Sequence, residues 1–252
     1  MAKPVALQLY SVRDLCAKDF RGTLRKVAAI GYKGVEFAGL HGADAKEVAK
    51  WLKDLGLKAS SAHVPLATKD NIKQLVSDAE ALGYTRLVSG LGPNDLKTDE
   101  DIKQAAARFS DAARLLKRYG LSLGYHNHWW EFDRVNDHVV YDLFFTYVSK
   151  DVFSQLDVYW CAFGKSFPPR VLEKWGKRIP LLHIKDGTLE PNTPHTAVGS
   201  GLLNMHNIIN AADPKTVEWL IVELDSCSTD MMKAVQQSYK YLVAQKLGKG
   251  NK

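Results

Sequence analysis

Three cysteines in 252 residues, Cys16, Cys161 and Cys227, stand far apart and form no Cys-x-x-Cys pair. That argues against a disulfide framework or a zinc ribbon and favours free thiols in a reducing compartment. No apolar run approaches the roughly 20 residues that cross a bilayer. Met1-Ala2-Lys3-Pro4 leads straight into a strand-like segment with no secretion signal in view, so a cytoplasmic protein is expected. The net charge is +6, from 34 basic and 28 acidic residues, yet the basic residues are dispersed. Lys46, Lys50 and Lys53, for example, fall on one helix face. No basic run interleaved with aromatics marks a nucleic-acid surface. Neither nucleic acid nor a membrane is an expected partner. No glycine follows the first strand either: Leu9-Tyr10-Ser11-Val12-Arg13 lacks the fingerprint of a dinucleotide-binding sheet.

What the chain does have is a repeated unit, an amphipathic helix that ends in glycine and leads into a short apolar strand. Phe20, Leu24, Val27 and Ile30 keep helical spacing before Gly31, and Gly34-Val35-Glu36-Phe37 follows. Val48, Leu52 and Leu55 precede Gly56 and a strand over 57–63. Gly83 and Gly120 close two more helices, ahead of strands over 86–89 and 121–126. Glycine suits the left-handed position that stops a helix. The remaining strands are predicted at 5–11, 154–159, 179–185 and 219–224. Strand–helix alternation over the whole length implies a parallel sheet. Eight units in roughly 250 residues predict an α/β fold, a single-domain (β/α)8 TIM barrel over 1–247 with a polar tail at 248–252. A doubly wound open sheet is the runner-up.

Barrels of this kind carry their sites at the C-terminal ends of the strands. Those ends are polar here. They hold Glu36, His63, His126-Asn127-His128 with Glu131 beyond, Asp157, His183-Ile184-Lys185-Asp186 and Glu223-Leu224-Asp225. Charged groups rarely enter a core unpaired, so several converging on one mouth point to a metal or catalytic site. A lone histidine or aspartate is more often structural. Together, His126, Asp157, His183 and Glu223 come from strands five to eight and offer two imidazoles and two carboxylates to one divalent ion. That mixture favours Mn, Fe, Co, Ni or Zn over Mg. His128 faces inward with His126 or supports it. His41, His138, His195 and His206 are taken as surface residues, with His195 on a loop long enough to fold over the site.

Gly34-Val35-Glu36-Phe37, Ser61-Ala62-His63, Gly124 to Phe132 (GYHNHWWEF), Leu156-Asp157-Val158-Tyr159-Trp160 and His183-Ile184-Lys185-Asp186-Gly187 together resemble the xylose-isomerase-like barrel superfamily, in its sugar phosphate isomerase/epimerase branch. The resemblance covers nearly the whole chain. It implies one divalent metal, manganese first, at the ends of strands five to eight. Asp157, His183 and Glu223 match the family's Asp, His and Glu ligands. The fourth family ligand is commonly a Glu that opens an ENH segment, where this chain has His126. Either His126 or Glu131 then supplies the strand-five ligand. A second departure is Val198-Gly199-Ser200-Gly201, where relatives often carry VGEG.

The shared chemistry of such relatives is proton abstraction next to a carbonyl through a metal-stabilised enediolate. Glu36, His63 and Glu131 are the candidate proton-transfer groups, and Lys185 a candidate partner for a substrate oxygen or enolate. His128, Trp129 and Trp160 are candidate substrate contacts, with Trp130 a further stacking candidate and Arg13 a candidate for a substrate oxygen. A sugar isomerase or epimerase is the first expectation. A lyase or dehydratase on keto-glycosides or inosose is the alternative reaction, and a non-catalytic sugar-binding barrel the alternative class. The zinc endonuclease branch needs a richer ligand set. The partner expected is a small carbohydrate, and a homodimer is left open.

Overall fold

The computed structural model describes residues 2–251. Eight parallel strands form the barrel: β1 Lys3–Gln8, β2 Gly34–Phe37, β3 Lys58–His63, β4 Arg86–Ser89, β5 Ser122–His126, β6 Phe153–Asp157, β7 Leu181–Ile184 and β8 Trp219–Val222. Each pairs with its neighbour, and β8 returns to β1 with Val5 opposite Leu220 and Leu7 opposite Val222, which closes the ring. Helices surround it, among them α1 Phe20–Ile30, α2 Ala45–Leu55, α3 Ile72–Leu82 and α4 Asp99–Lys117. Gly56 and Gly83 end α2 and α3 at φ 65° and 76°, the left-handed cap their sequence positions predict. No helix among the described residues is long and apolar enough to cross a membrane.

Some strands are shorter than the sequence predicts. The first stops at Gln8, and Leu9–Val12 turns into a 3-10 helix. The sixth stops at Asp157, whose carboxylate accepts the Trp160 N–H and starts a helix over Val158–Phe163. An acidic residue at a strand end is a helix N-cap as readily as a strand residue.

Side-chain alternation builds the interior in layers. Ala6, Val88, Phe153, Leu181 and Ile221 form an apolar cluster across the barrel. Gly124 belongs beside them, because a Cβ there would lie 2.2 Å from the Phe153 ring. Two residues further along the strands come Gln8, His126, Gln155, His183 and Glu223, all buried. The polar layer is thus the apolar layer displaced by one period. β3 joins it through an irregularity. Its register against β2 shifts between Val35 and Glu36, so that Ser61 rather than Ser60 pairs with Glu36. The extra residue swings Ser61 and His63 to the inside and Ala62 outward against the helices.

Residues 248–251, expected as a polar tail, are part of the fold. Gly248–Lys249 pairs in parallel with Lys3 and Pro4 of β1. The Asn251 backbone N–H donates to the Gly31 carbonyl, and its side chain donates to those of Tyr32 and Gly56. Polar composition hides this role, since backbone pairing needs no apolar side chain. Met1 and Lys252, the outer ends of the two expected spans, lie outside the described residues. Ending the chain at Leu247 is expected to cost about 2 kcal/mol from the lost hydrogen bonds. At this size that is a Tm decrease of about 4–8 °C. Thermal unfolding checks it, and an unchanged Tm would show that the pairing contributes nothing.

Candidate functional site

The polar layer is organised around Glu36, whose carboxylate has no exposed surface. Its Oε1 accepts from Gln8 Nε2 at 2.7 Å and faces His183 Nε2 at 2.6 Å. Its Oε2 accepts from Ser61 Oγ and Gln155 Nε2, each at 2.5 Å. His63 Nε2 lies 3.3 Å away. Burial works to raise the Glu36 pKa, but the charges and hydrogen bonds of His63 and His183 outweigh it and hold the carboxyl well below its ordinary value.

An ionised Glu36 dictates the orientation of its neighbours. Gln155 must turn its amide N–H to Glu36, so its Oε1 faces His63 Nε2 at 2.6 Å and His126 Nδ1 at 3.0 Å. Both imidazoles then donate to that oxygen, which assigns the proton of His126 to Nδ1 and leaves Nε2 with a lone pair. Burial, then the nearby His183 and His63, hold His126 neutral, well below its ordinary pKa. His183 donates from Nε2 to Glu36. Its Nδ1 faces Glu223 Oε2 at 2.9 Å and donates to it when the ring is protonated. With only the protein's own groups present, burial favours the neutral ring. The carboxylates of Glu36 and Glu223 override it and raise His183 to about 10.

Four of the residues singled out in the sequence meet here. Ligand atoms of His126, Asp157, His183 and Glu223 all lie within 4.8 Å of one another, and all four residues are buried. Asp157 Oδ2 is buried without a hydrogen-bond partner. The Lys185 ammonium is 3.1 Å from that oxygen, 2.9 Å from Glu223 Oε2 and 2.9 Å from Asp225 Oδ2, fully buried among the three carboxylates. Asp157 Oδ2 is thus ion-paired with Lys185 and accepts no directed hydrogen bond. The His126 Nε2 lone pair and the convergence of two imidazoles and two carboxylates on one point fit a cation. His183 further carries the carboxylate behind its second nitrogen that metal-binding histidines usually have.

Two proton-transfer candidates join the cluster. Glu36 does so as an acceptor saturated by donors, which makes it a poor base. His63 stacks on His183 at 5.4 Å with its side chain 26% exposed. The third, Glu131, is placed elsewhere. It accepts from Tyr125 Oη at 2.6 Å and from the His128 N–H at 2.8 Å, on the outward side of β5 where Tyr125 packs on Phe109 and Phe144. His126 and not Glu131 thus faces the other ligand atoms.

The mouth is roofed by aromatics. Trp129 and Trp160 lie 4.8 Å apart between ring centroids, and Lys185 Nζ is 5.1 Å from the Trp160 centroid. His128 stacks on Trp130 at 4.3 Å. His195, on the loop that folds over the site, packs on Tyr159 and Trp160 and accepts the Asp225 N–H at Nδ1. Burial and then Lys185 keep it neutral, with a pKa of about 4. Arg13 donates to the carbonyls of Tyr10 and Asp225 at the rim. Gln8, Ser61 and Gln155 escaped the reading of the sequence. Their signal was position, one strand period from residues already singled out.

The chain belongs to the xylose isomerase-like TIM barrel family, whose sequence model matches residues 24–245. It is similar to a sugar phosphate isomerase/epimerase from Parabacteroides distasonis ATCC 8503, at 27% identity and a TM-score of 0.83 over 99% of this chain and 96% of that one. Two more distant structures share the fold. The probable 3-DHS dehydratase AsbF from Bacillus anthracis has 14% identity and a TM-score of 0.74, over 95% of this chain and 98% of that one. An IOLI protein with a binding zinc atom has 16% identity and a TM-score of 0.74, over 98% of each. No curated protein matches the chain.

Burial raises the Glu131 carboxyl to about 8 against the hydrogen bonds from Tyr125 and the backbone. A group raised on folding contributes stability that is complete below its unfolded pKa and lost as pH rises through the folded value. Stability should therefore decline between about pH 4.5 and 8 from this residue. Glu131→Gln keeps both contacts, with Nε2 donating to Tyr125 and Oε1 accepting from His128, and removes the ionisation. Its urea midpoint should vary less over that window than the wild-type midpoint does. Parallel pH profiles would exclude Glu131 as the source.

Proposed function

We propose that this protein is a divalent-metal-dependent sugar isomerase or epimerase that moves a proton from the carbon next to a carbonyl. The observation that carries the reading is the convergence of buried ligand atoms of His126, Asp157, His183 and Glu223, all within 4.8 Å of one another. Those four residues would hold the ion. Two imidazoles and two carboxylates suit manganese, cobalt, zinc, iron or nickel over magnesium, and the family resemblance puts manganese first. The zinc of the similarly folded IOLI protein keeps zinc in view. When bound, the ion supplies the Lewis acidity that polarises a carbonyl and steadies an enediolate.

The chain's own groups divide the remaining work. Glu36 fixes the His183 ring through Nε2. His63, donating to Gln155 from Nε2, keeps Nδ1 as a lone pair, and its partial exposure lets it take and return a proton. Lys185 has a third acceptor in Asp225, which is 33% exposed. It can stay at the mouth on that carboxylate and donate to a substrate oxygen while Asp157 and Glu223 serve as ligands. Trp129, Trp160 and His128 bound the space above the cluster, and Arg13 stands at its rim. A lyase or dehydratase begins with the same abstraction and differs in what leaves afterwards.

One observation favours the non-catalytic sugar-binding barrel. The Lys185 ammonium already spans Asp157 and Glu223, the two carboxylates of the ligand set. Elemental mass spectrometry of the purified protein separates the readings. About one equivalent of a transition metal, lost in His183→Ala, is expected for a mononuclear site. No metal, and no thermal shift on adding Mn, Co or Zn, would put the sugar-binding barrel in its place. Glu36→Gln should weaken metal affinity by about 10–100-fold through His183, measured by competition with a chelator. Unchanged affinity would remove Glu36 from that role.

A further inference from the structure

A cavity lies away from the metal cluster, on the outer side of the sheet. Its volume is about 530 Å³, within the range of small-molecule sites. It opens between the outward faces of β2 and β3 and the helices α2 and α3. Phe37 and Ala62 form its wall on the strands, and Leu75 and Leu82 its wall on α3, all buried. The shifted register of β3 makes room for it by turning Ala62 outward, where a larger side chain would fill the space. Gly39, Ala43, Ala45 and Ala81 are equally small along the rest of the lining. His63, at the end of β3, is the one lining residue that also belongs to the polar layer of the mouth.

Polar groups are few in this cavity and sorted by depth. Asp44, Lys46, Gln74 and Ser77 are exposed at its entrance. Tyr84 lies at its floor, 5% exposed, with its ring centroid 6.4 Å from that of Phe37. The Tyr84 hydroxyl makes no hydrogen bond to any described residue. Burial, and then the charge of Asp78, hold this phenol above its ordinary pKa, so at neutral pH it is a donor. Asp78 is partly buried in the same lining. Its Oδ1 accepts from Gln74 Nε2 at 2.9 Å, and the carboxylate has further lone pairs to offer.

We propose that this cavity is a second binding site, for a compact, uncharged and largely apolar molecule that carries a hydroxyl, a phenol or an alicyclic alcohol. The buried walls take its ring. Its hydroxyl accepts from Tyr84 and donates to Asp78, so both polar groups find a partner. A site that holds a buried donor rejects a ligand of the same shape without a polar atom, because the donor is then left unpaired. Charge of either sign is disfavoured. An anion meets Asp44 and Asp78 against the single Lys46, and a cation would give up its hydration against apolar walls. An occupant abuts the strand end that carries His63. The site depends on nothing in the metal-binding reading of the mouth.

The test is isothermal titration calorimetry of the full chain with phenol, cyclohexanol, toluene, benzylamine and benzoate. Phenol and cyclohexanol should bind saturably. Toluene, which matches phenol in shape but lacks the hydroxyl, should bind about tenfold more weakly, and both charged probes more weakly than phenol. Tyr84→Phe keeps the ring beside Phe37 and removes the donor. It should weaken phenol about tenfold and leave toluene within about twofold. Ala81→Leu places a larger side chain in the cavity from a partly exposed helix position. It should abolish binding of every probe, with an unchanged circular dichroism spectrum. No saturable binding of phenol and cyclohexanol, equal affinity for toluene, preference for either charged probe, or phenol binding unchanged in either variant would overturn the proposal.

Discussion

The buried Glu36 carboxylate sets the orientation of nearly every polar group at the barrel mouth. Taking a carboxylate out of water costs several kcal/mol even after relaxation, and the cost is offset only when its lone pairs are met by good donors. Gln8, Ser61, Gln155 and His183 meet them, and His63 stands close by. Because the carboxylate can only accept, each neighbour must point its N–H or O–H inward. Their other ends are then fixed as well. Gln155 turns its carbonyl to His63 and His126, and those rings acquire defined tautomers. The free lone pair of His126 thus follows from a charge on the other side of the barrel.

That network explains which parts of the site were legible in the sequence. Helix–glycine–strand units announced the barrel, because the left-handed cap and the buried strand each leave a local mark. His126, Asp157, His183 and Glu223 were visible because a charged or imidazole residue after an apolar strand is unusual. Gln8, Ser61 and Gln155 carry no such mark, and a neutral polar residue near a strand end has many ordinary uses. Ser61 also required the shifted register of β3, which simple alternation does not contain. Glu131 misled for the opposite reason. It stands close to His126 in sequence, but the turn after β5 points it back toward Tyr125. Tail residues 248–251 were illegible since their contribution lies in backbone pairing and one asparagine.

Electrostatics at the mouth are amplified by what lies below and above. The apolar cluster of Ala6, Val88, Phe153, Leu181 and Ile221 closes the floor, and Tyr159, Trp160 and His195 cover one side of the top. Little water reaches the charges, so opposite charges attract strongly and unpaired ones are costly. The raised pKa of His183 and the enclosure of Lys185 both express a site that demands positive charge. A proton on His183 and the lysine ammonium supply it from the chain. A divalent ion supplies it in one particle, with less crowding of donors around Glu223.

The same layering separates stability from chemistry. β1, β6, β7 and β8 each give one inward residue to the apolar floor and the next inward residue to the polar layer, two positions along. A substitution in the upper position changes the polar layer without touching the packing below. His126, the first departure from the family pattern, is at such a position on β5, above Gly124 and Phe153. Ser200, the second, lies on the loop that wraps Asp186. Neither perturbs the closed ring of strands. The barrel can therefore keep its architecture while its polar layer and its loops change.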